Sequence, residues 1–323
     1  MSFDPRPFLK EIARGKSARD LTREQAHELF SAILAGEVAG PALGAILVAL
    51  RIKGETPEEL AGMMEALAPH VRPLGMQVRR ALPVVIATYN GSRKLPNLVP
   101  LLALLLARED VPVLLHGVVH ESSRVGTFEI LKLLGHAPVA EVDEAEERLL
   151  DTGVAAVPIG VLAPDLARLL DMRLEIGVRN SGHTLAKLLL PQGVEAGAAC
   201  RVIAVTHPDF LALLKDHFAT APANVFLMRG VEGEAVVRLH SPQPIEQVAL
   251  DGNHVTHLLG DGELGLQLPA REAAATALWT REVLEGKVAV PAALARQVAL
   301  IAGHCRQVAL QGNRLPLRLV SSK

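Results

Sequence analysis

The stretch PVVIATYNGSRKLPNLVPLLALLLA, residues 83–107, decides how the chain is read. An apolar run, PVVI, enters a polar turn, and a second apolar run of helical length follows it. Strand, turn and helix in that order are the unit of open α/β sheets, and the turn at the strand's carboxyl end is where such sheets hold ligands. A glycine-rich turn there lets backbone N–H groups close around a phosphate. This one has a single glycine, Gly91, with the bulky Tyr89 before it and the basic pair Arg93 and Lys94 after it.

The alternation continues toward the carboxyl end. Strand VPVLLHG and helix SSRVGTFEILKLLG come next, followed by strands GVAAVPIG, CRVIAVT and NVFLMRG. Residues 163–191 read as helical, and so does PDFLALLKDHF. EAVVRLHS and IEQVALDG read as further strands, and two helices around REAAATALWTREVLEG and PAALARQVALIAGHCRQVAL close the chain. Alternation of this kind predicts a parallel sheet with helical crossovers.

Residues 1–78 differ. Leu21, Ala26, Leu29, Phe30, Ile33 and Leu34 recur at helical spacing behind Thr22, an N-cap residue type. GPALGAILVALRIKG stops at Gly54, and TPEELAGMMEALAPHV has Thr56 as cap, Pro57 at the first helical position and acids in the first turn. The expected fold class is α/β: a small helical domain, residues 1–78, beside a larger α/β domain, residues 79–323, with a mostly parallel central sheet.

Composition narrows the function. Of 323 residues half are hydrophobic and 3% aromatic, so aliphatic side chains build the core. Mean hydropathy is +0.28, yet no apolar run reaches the roughly 18 residues that span a bilayer. The amino terminus lacks the apolar core of a signal peptide. Cys200 and Cys305 are far apart in sequence, which suits a reducing cytoplasm. A net charge of −2 argues against a basic surface over the whole chain but leaves room for a local basic groove.

Familiar catalytic motifs fail on spacing. GKS at 15–17 lacks the leading glycine of a phosphate-binding loop, since position 10 is Lys10. His254 and His257 have no carboxylate or cysteine at ligand spacing and read as surface or loop histidines. No G-x-S-x-G elbow occurs. What remains are turns after strands, TYNGSRK, HGVVHESSRVGT and FLMRGVEGE, and the segment EIGVRNSGHTLAKLL. In that segment Arg179, His183 and Lys187 recur every four residues, which predicts one helix face. A solvated outer face is the competing reading.

At these residues the chain resembles glycosyltransferase family 3, the family of anthranilate phosphoribosyltransferase. LRIKGETPEELAGMMEAL is similar to its helical-domain signature, HGVVHESSRVGTFEILKLLG to its second phosphate-loop region, and HPDF to the entry of a later helix. The resemblance implies that the helical domain is completed by residues of about 165–190, and that two copies join through it. It also implies that Thr88, Asn90, Gly91, Asn97, His116, Gly117, Ser122 and Ser123 stand at the family's phosphate site. There the chain departs from the pattern. Ala87-Thr88-Tyr89-Asn90-Gly91 replaces Gly-Thr-Gly-Gly-Asp, and Asn97-Leu98-Val99-Pro100 replaces Asn-Ile-Ser-Thr. Leu115 stands where the family has lysine, Val118 and Val119 where it has Asn-Arg, and the acid pair that holds magnesium has become Glu232-Gly233-Glu234.

YNGSRK, GVRNSGHTLAKLL and RGVEGEAVV resemble more closely the bacterial YbiB-like branch of that family, whose members lack known transferase activity and bind nucleic acid nonspecifically. The expectation is a homodimeric nucleic-acid-binding protein with a basic interdomain groove, no catalytic residue, no metal and no cofactor. Arg93, Lys94, Arg124, Arg173, Arg179, His183, Lys187 and Arg229 would contact phosphates, with Tyr89 either stacking on a base or packing against its own loop. The alternative is a magnesium-dependent phosphoribosyltransferase using Asn97, Ser122, Ser123 and Arg124.

Overall fold

The computed structural model describes residues 3–76, 80–119, 123–260 and 267–312. The helical region opens with α1 (Arg6–Ile12), α2 (Arg23–Leu34), α3 (Gly40–Lys53) and α4 (Pro57–Leu67). Both expected caps are present as full capping boxes, Thr22 with Gln25 and Thr56 with Glu59. Glu59 does more than cap. It is fully buried, accepts the Leu21 N–H at 2.8 Å and lies 2.7 Å from the Lys53 ammonium. One carboxylate thus joins the end of α3, the start of α4 and the entry to α2.

The α/β part runs β1 (Val84–Thr88), α5 (Val99–Arg108), β2 (Val113–Gly117), α6 (Thr127–Leu133), α7 (Val142–Asp151) and β3 (Val154–Pro158). Then come α8 (Ile159–Leu162), α9 (Pro164–Ile176), α10 (Gly182–Leu188), β4 (Cys200–Ala204), α11 (Pro208–Thr220) and β5 (Val225–Met228). The chain continues with β6 (Gln243–Val248), β7 (His254–Leu259), α12 (Ala273–Leu284) and α13 (Ala292–Gly312). The seven strands form one sheet in the order β3-β2-β1-β4-β5-β6-β7. The first five are parallel, and β6 and β7 add antiparallel.

Strands β1, β2 and β4 are buried along their whole length, as continuous apolar runs require. Alternate residues feed two cores. Val85, Ala87, Leu114 and Ile203 join a cluster containing Leu29, Phe30, Leu47 and Met63, so the helical region and one sheet face share a core. Val84, Ile86, Leu115 and Phe226 face α5, α12 and α13 through Leu102, Trp279 and Ile301. Helix α9 also reaches the helical region: Arg168 donates to the Leu34 carbonyl at 2.6 Å, and His70 pairs with Asp165 at 2.8 Å. No helix among the described residues is long and apolar enough to cross a membrane.

Two expectations are corrected. EAVVRLHS is not a strand. Its backbone is served by a side chain instead, Gln297, which accepts from Val237 N–H at 3.0 Å and donates to the Ala235 carbonyl at 2.8 Å. Residues 163–191 are not one helix, because Gly177 takes the left-handed conformation that ends α9. His254, exposed as expected of a surface histidine, and the half-buried His257 lie in strand β7 instead of a loop, paired with Glu246 at 2.8 Å and Gln247 at 2.7 Å on β6.

The contact between α2 and α4 gives a test. A Cβ on Gly62 would stand 2.1 Å from the Arg23 carbonyl oxygen, and backbone cannot yield as a side chain can. Gly62→Ala should destabilise the protein by about 1–3 kcal/mol, as overpacking does. Gly303→Ala on α13, where a Cβ meets nothing within 4 Å, should be neutral or stabilising by up to about 1 kcal/mol. Urea denaturation of the two variants checks both signs.

Candidate functional site

Strand order reverses between β1 and β4. Chain direction runs outward from β1 through β2 to β3, then restarts at β4 on β1's other side. Loops leaving β1 and β4 therefore part, and a crevice opens at their carboxyl ends. A cleft of about 420 Å³ occupies that place. Asn90, Arg93 and Lys94 come to it from the loop after β1, and Val205, Thr206 and His207 from the loop after β4. Arg179, Asn180, His183, Thr184 and Lys187 approach from around α10, and Arg51 from α3. Six basic side chains thus line it: Arg51, Arg93, Lys94, Arg124, Arg179 and Lys187. Among its described wall residues Glu232 is the one carboxylate.

The loops are shaped by two glutamates. Glu234 is buried, and its Oε1 accepts the N–H groups of Asn90 at 2.8 Å and Gly91 at 2.7 Å. Asn90 returns its side-chain amide to the Gly233 carbonyl at 2.8 Å, and Arg179 donates to the Asn90 Oδ1. A Cβ on Gly233 would stand 2.1 Å from that amide nitrogen, so the approach needs glycine. Glu232 Oε2 accepts the N–H groups of Arg93 at 2.9 Å, Lys94 at 3.1 Å and Leu95 at 3.4 Å. Burial pulls the Glu232 carboxyl upward, but these donors and Arg124 outweigh it and hold it below the usual carboxylate range. The loops after β1 and β2 are joined by a two-bond bridge between Ser92 and Val125, at 3.0 and 2.9 Å.

Behind them lies a buried polar layer. Thr88 Oγ1 is 2.5 Å from Thr127 Oγ1, which also accepts from Asn97 at 3.0 Å. The Tyr89 hydroxyl meets His116 Nδ1 at 2.7 Å, their rings edge to face. Burial first, then the Lys187 charge, pushes His116 down to about 3, so the ring is neutral. Its Nε2 has no partner among the described residues. Gly117 lets β2 end against β1, since a Cβ would lie 1.9 Å from the Thr88 carbonyl oxygen.

The sequence-derived residues divide accordingly. Arg93, Lys94, Arg124, Arg179, His183 and Lys187 meet in the cleft. Arg179 is not on the helix face expected of it; it lies in the segment before α10, and reaches the cleft from there. His183 contributes no charge, because burial and then Arg179 and Arg173 push it down to about 3. Arg173, on α9, does not line the cleft. Arg229 is exposed beside it, donating to the Thr206 carbonyl at 3.3 Å. Tyr89 is 3% exposed, which corrects its stacking role: no ring face is open to a base, and the packing alternative is the one found. Ser123 is exposed, and Ser122 lies outside the described residues.

Arg51, His207 and Phe210 also line the cleft and carried no signal as site residues. HPDF was readable as a helix entry, but only the strand order brings it beside TYNGSRK. Lys187 is almost fully buried and 3.4 Å from the Gly233 carbonyl. Burial pushes it down to about 8, against the pull of the Glu234 carboxylate and with the help of Arg179.

The family's magnesium finds a poor match. Each glutamate of the 232–234 turn gives one oxygen to backbone amides, and the second oxygen of Glu234, buried, has no hydrogen-bond partner among the described residues. No group of three or more His, Cys, Asp or Glu side chains placed to hold a metal occurs among the described residues.

Residues 6–70 match the helical bundle domain of the glycosyl transferase family. The uncharacterized protein YbiB of Escherichia coli K12 is 38% identical, over 92% of this chain and 93% of its own. Anthranilate phosphoribosyltransferase of Thermus thermophilus is 33% identical, over 88% and 84% of the two chains. A crystal structure of the Thermus thermophilus enzyme superposes with a TM-score of 0.73, covering 94% of this chain and 89% of the other. The fold expected from the sequence, a small helical domain beside a mostly parallel α/β domain, is the fold of that enzyme. The chain therefore belongs to glycosyltransferase family 3, the family of anthranilate phosphoribosyltransferase.

Proposed function

We propose that this protein is a homodimer that binds nucleic acid without sequence preference, through the cleft at the carboxyl ends of β1 and β4. The observation that carries the reading is the charge of that cleft: six basic side chains against Glu232 in a chain whose net charge is −2. Contacts from arginine and lysine to phosphates position a strand without reading its bases. The acidic run at 141–147, on and just before α7, contributes no wall to the cleft, so it leaves the local field positive. Dimerisation through the helical domain is supported by α3, which is apolar on several faces, and by Ile52 and Leu174, exposed at 78% and 83%. A cytoplasmic location goes with this reading.

The second reading, a phosphoribosyltransferase with an unidentified acceptor, has the similarity to the Thermus enzyme in its favour. Against it stand Tyr89 and Asn90 in the first loop, and the engagement of the Asn90 and Gly91 amides by Glu234. Titration of phosphoribosyl pyrophosphate with magnesium by calorimetry separates the two.

A labelled random single-stranded oligonucleotide, followed by fluorescence anisotropy at several salt concentrations, tests the first. Affinity should fall steeply with salt, by about 0.7 log units per log unit of salt for each phosphate neutralised. Arg93→Ala and Lys94→Ala should each lower that slope by about 0.7. Arg80→Ala, at the opposite end of the strands beside Asp110, should leave it unchanged. Absence of binding at low salt would end the nucleic-acid reading.

Lys187 adds a pH signature. With its pKa near 8 it is charged at pH 7 and neutral at pH 9. Oligonucleotide binding should weaken several-fold as pH rises through 8, with proton uptake on binding in that range. Lys187→Met should bind at pH 7 as weakly as the wild type does at pH 9, and lose the step.

A further inference from the structure

The turn at 231–234 holds Glu232 at φ +53° and Gly233 at φ +87°. Two successive positive φ values are those of a type I′ turn, whose first place is usually taken by Asn, Asp or Gly. A longer side chain at positive φ is a strained choice, and such outliers point toward function. Glu232 sends its carboxylate to three consecutive amides, those of Arg93, Lys94 and Leu95. Successive N–H groups converging on one oxygen make an anion nest. Glu232 also stands between two spaces, the basic cleft and a second cavity of about 250 Å³ walled by Leu95, Pro96 and Val231. Its side chain therefore has somewhere to go.

We infer that the amides of Arg93, Lys94 and Leu95 are a phosphate seat, and that Glu232 is a tethered competitor displaced from it by a phosphate of the bound strand. The inference rests on the nucleic-acid reading and adds a gate to it. The tethered carboxylate is present at an effective concentration in the millimolar range, so free phosphate at lower concentration does not dislodge it. A polymer held by Arg93, Lys94, Arg124 and Arg179 presents its phosphates at the seat at a comparable local concentration. Displacement also moves the cleft's carboxylate away from the polyanion. Glu232 thus favours a chain of phosphates over a single one.

Glu232→Gly suits the positive φ and empties the seat, while Glu232→Gln keeps the shape and removes the charge. Asp209→Asn, an exposed acid in the first turn of α11 next to the cleft's His207, controls for loss of any nearby negative charge. Anisotropy should show oligonucleotide affinity rising about tenfold in Glu232→Gly, less in Glu232→Gln and under twofold in Asp209→Asn. In the wild type, the oligonucleotide should shift the amide NMR resonances of Arg93, Lys94 and Leu95. Inorganic pyrophosphate at about 0.1 mM, below the effective concentration of the tethered carboxylate, should shift them in Glu232→Gly but not in the wild type. Unchanged oligonucleotide affinity in both Glu232 variants, with Arg93→Ala still weakening it, would overturn the gate and leave the nucleic-acid reading intact. If no form binds oligonucleotide, that reading fails and pyrophosphate decides: shifts confined to Glu232→Gly support a gated seat for free phosphates, and no shift overturns it.

Discussion

A buried carboxylate organises the cleft. Glu234 is 2% exposed, and a charge so placed survives only if its surroundings supply hydrogen bonds or an opposite charge. Two N–H groups from the loop after β1 meet its Oε1, the Lys187 charge lies nearby, and its Oε2 has no hydrogen-bond partner among the described residues. The contact spans more than 140 positions of sequence and holds the loop after β1 against the turn after β5. Gly233 lets that turn approach Asn90, and Gly230 lets it fold back on itself, since a Cβ there would stand 1.7 Å from the Glu234 carbonyl oxygen. Asn90 is fixed between Gly233 and Arg179 by the same arrangement. The shape of the loop and the position of one arginine follow from where this carboxylate sits, and its charge offsets part of the fall that burial imposes on the Lys187 pKa.

Backbone amides are rigid donors that fit one phosphate in one place. Here the amides at 90–91 and 93–95 face the protein's own carboxylates, and the outward charge is carried by arginine and lysine side chains. Such side chains adjust to ligand shape and act through a field reaching about a Debye length. That favours a repeating, variable anion over a compact one. It also reconciles a net charge of −2 with the proposed phosphate binding, because the field at the cleft depends on the charges around it.

The fold was legible where one physical rule acts alone. PVVI, VPVLL and CRVIA are strands because continuous aliphatic runs are buried on both faces, and nothing competes with that. Thr22 and Thr56 cap helices because the partners they need lie three residues away. Legibility fails where a distant group substitutes for a local one. EAVVRLHS has the pattern of a strand and a buried apolar set, yet Gln297 on α13 takes the hydrogen bonds a neighbouring strand would supply. Gly177 sits inside a helical pattern, and only the structure shows that it ends the helix. The basic residues of the cleft were readable as loop and helix positions. That His207 stands with them depends on β4 lying next to β1, and that Arg51 does depends on how α3 packs in the helical region; no local pattern encodes either.

Charge in the cleft also has an uneven dependence on pH. His116 and His183, the groups most often responsible for titration near neutrality, are pushed down to about 3 by burial and neighbouring cations and stay neutral. The arginines remain charged throughout the physiological range. Lys187 is different, because burial weakens its hold on the proton more than Glu234 strengthens it. Two opposing influences on one ammonium therefore set its share of the field around pH 8. Moving Glu234 would change that balance and the loop geometry together, since the same carboxylate serves both.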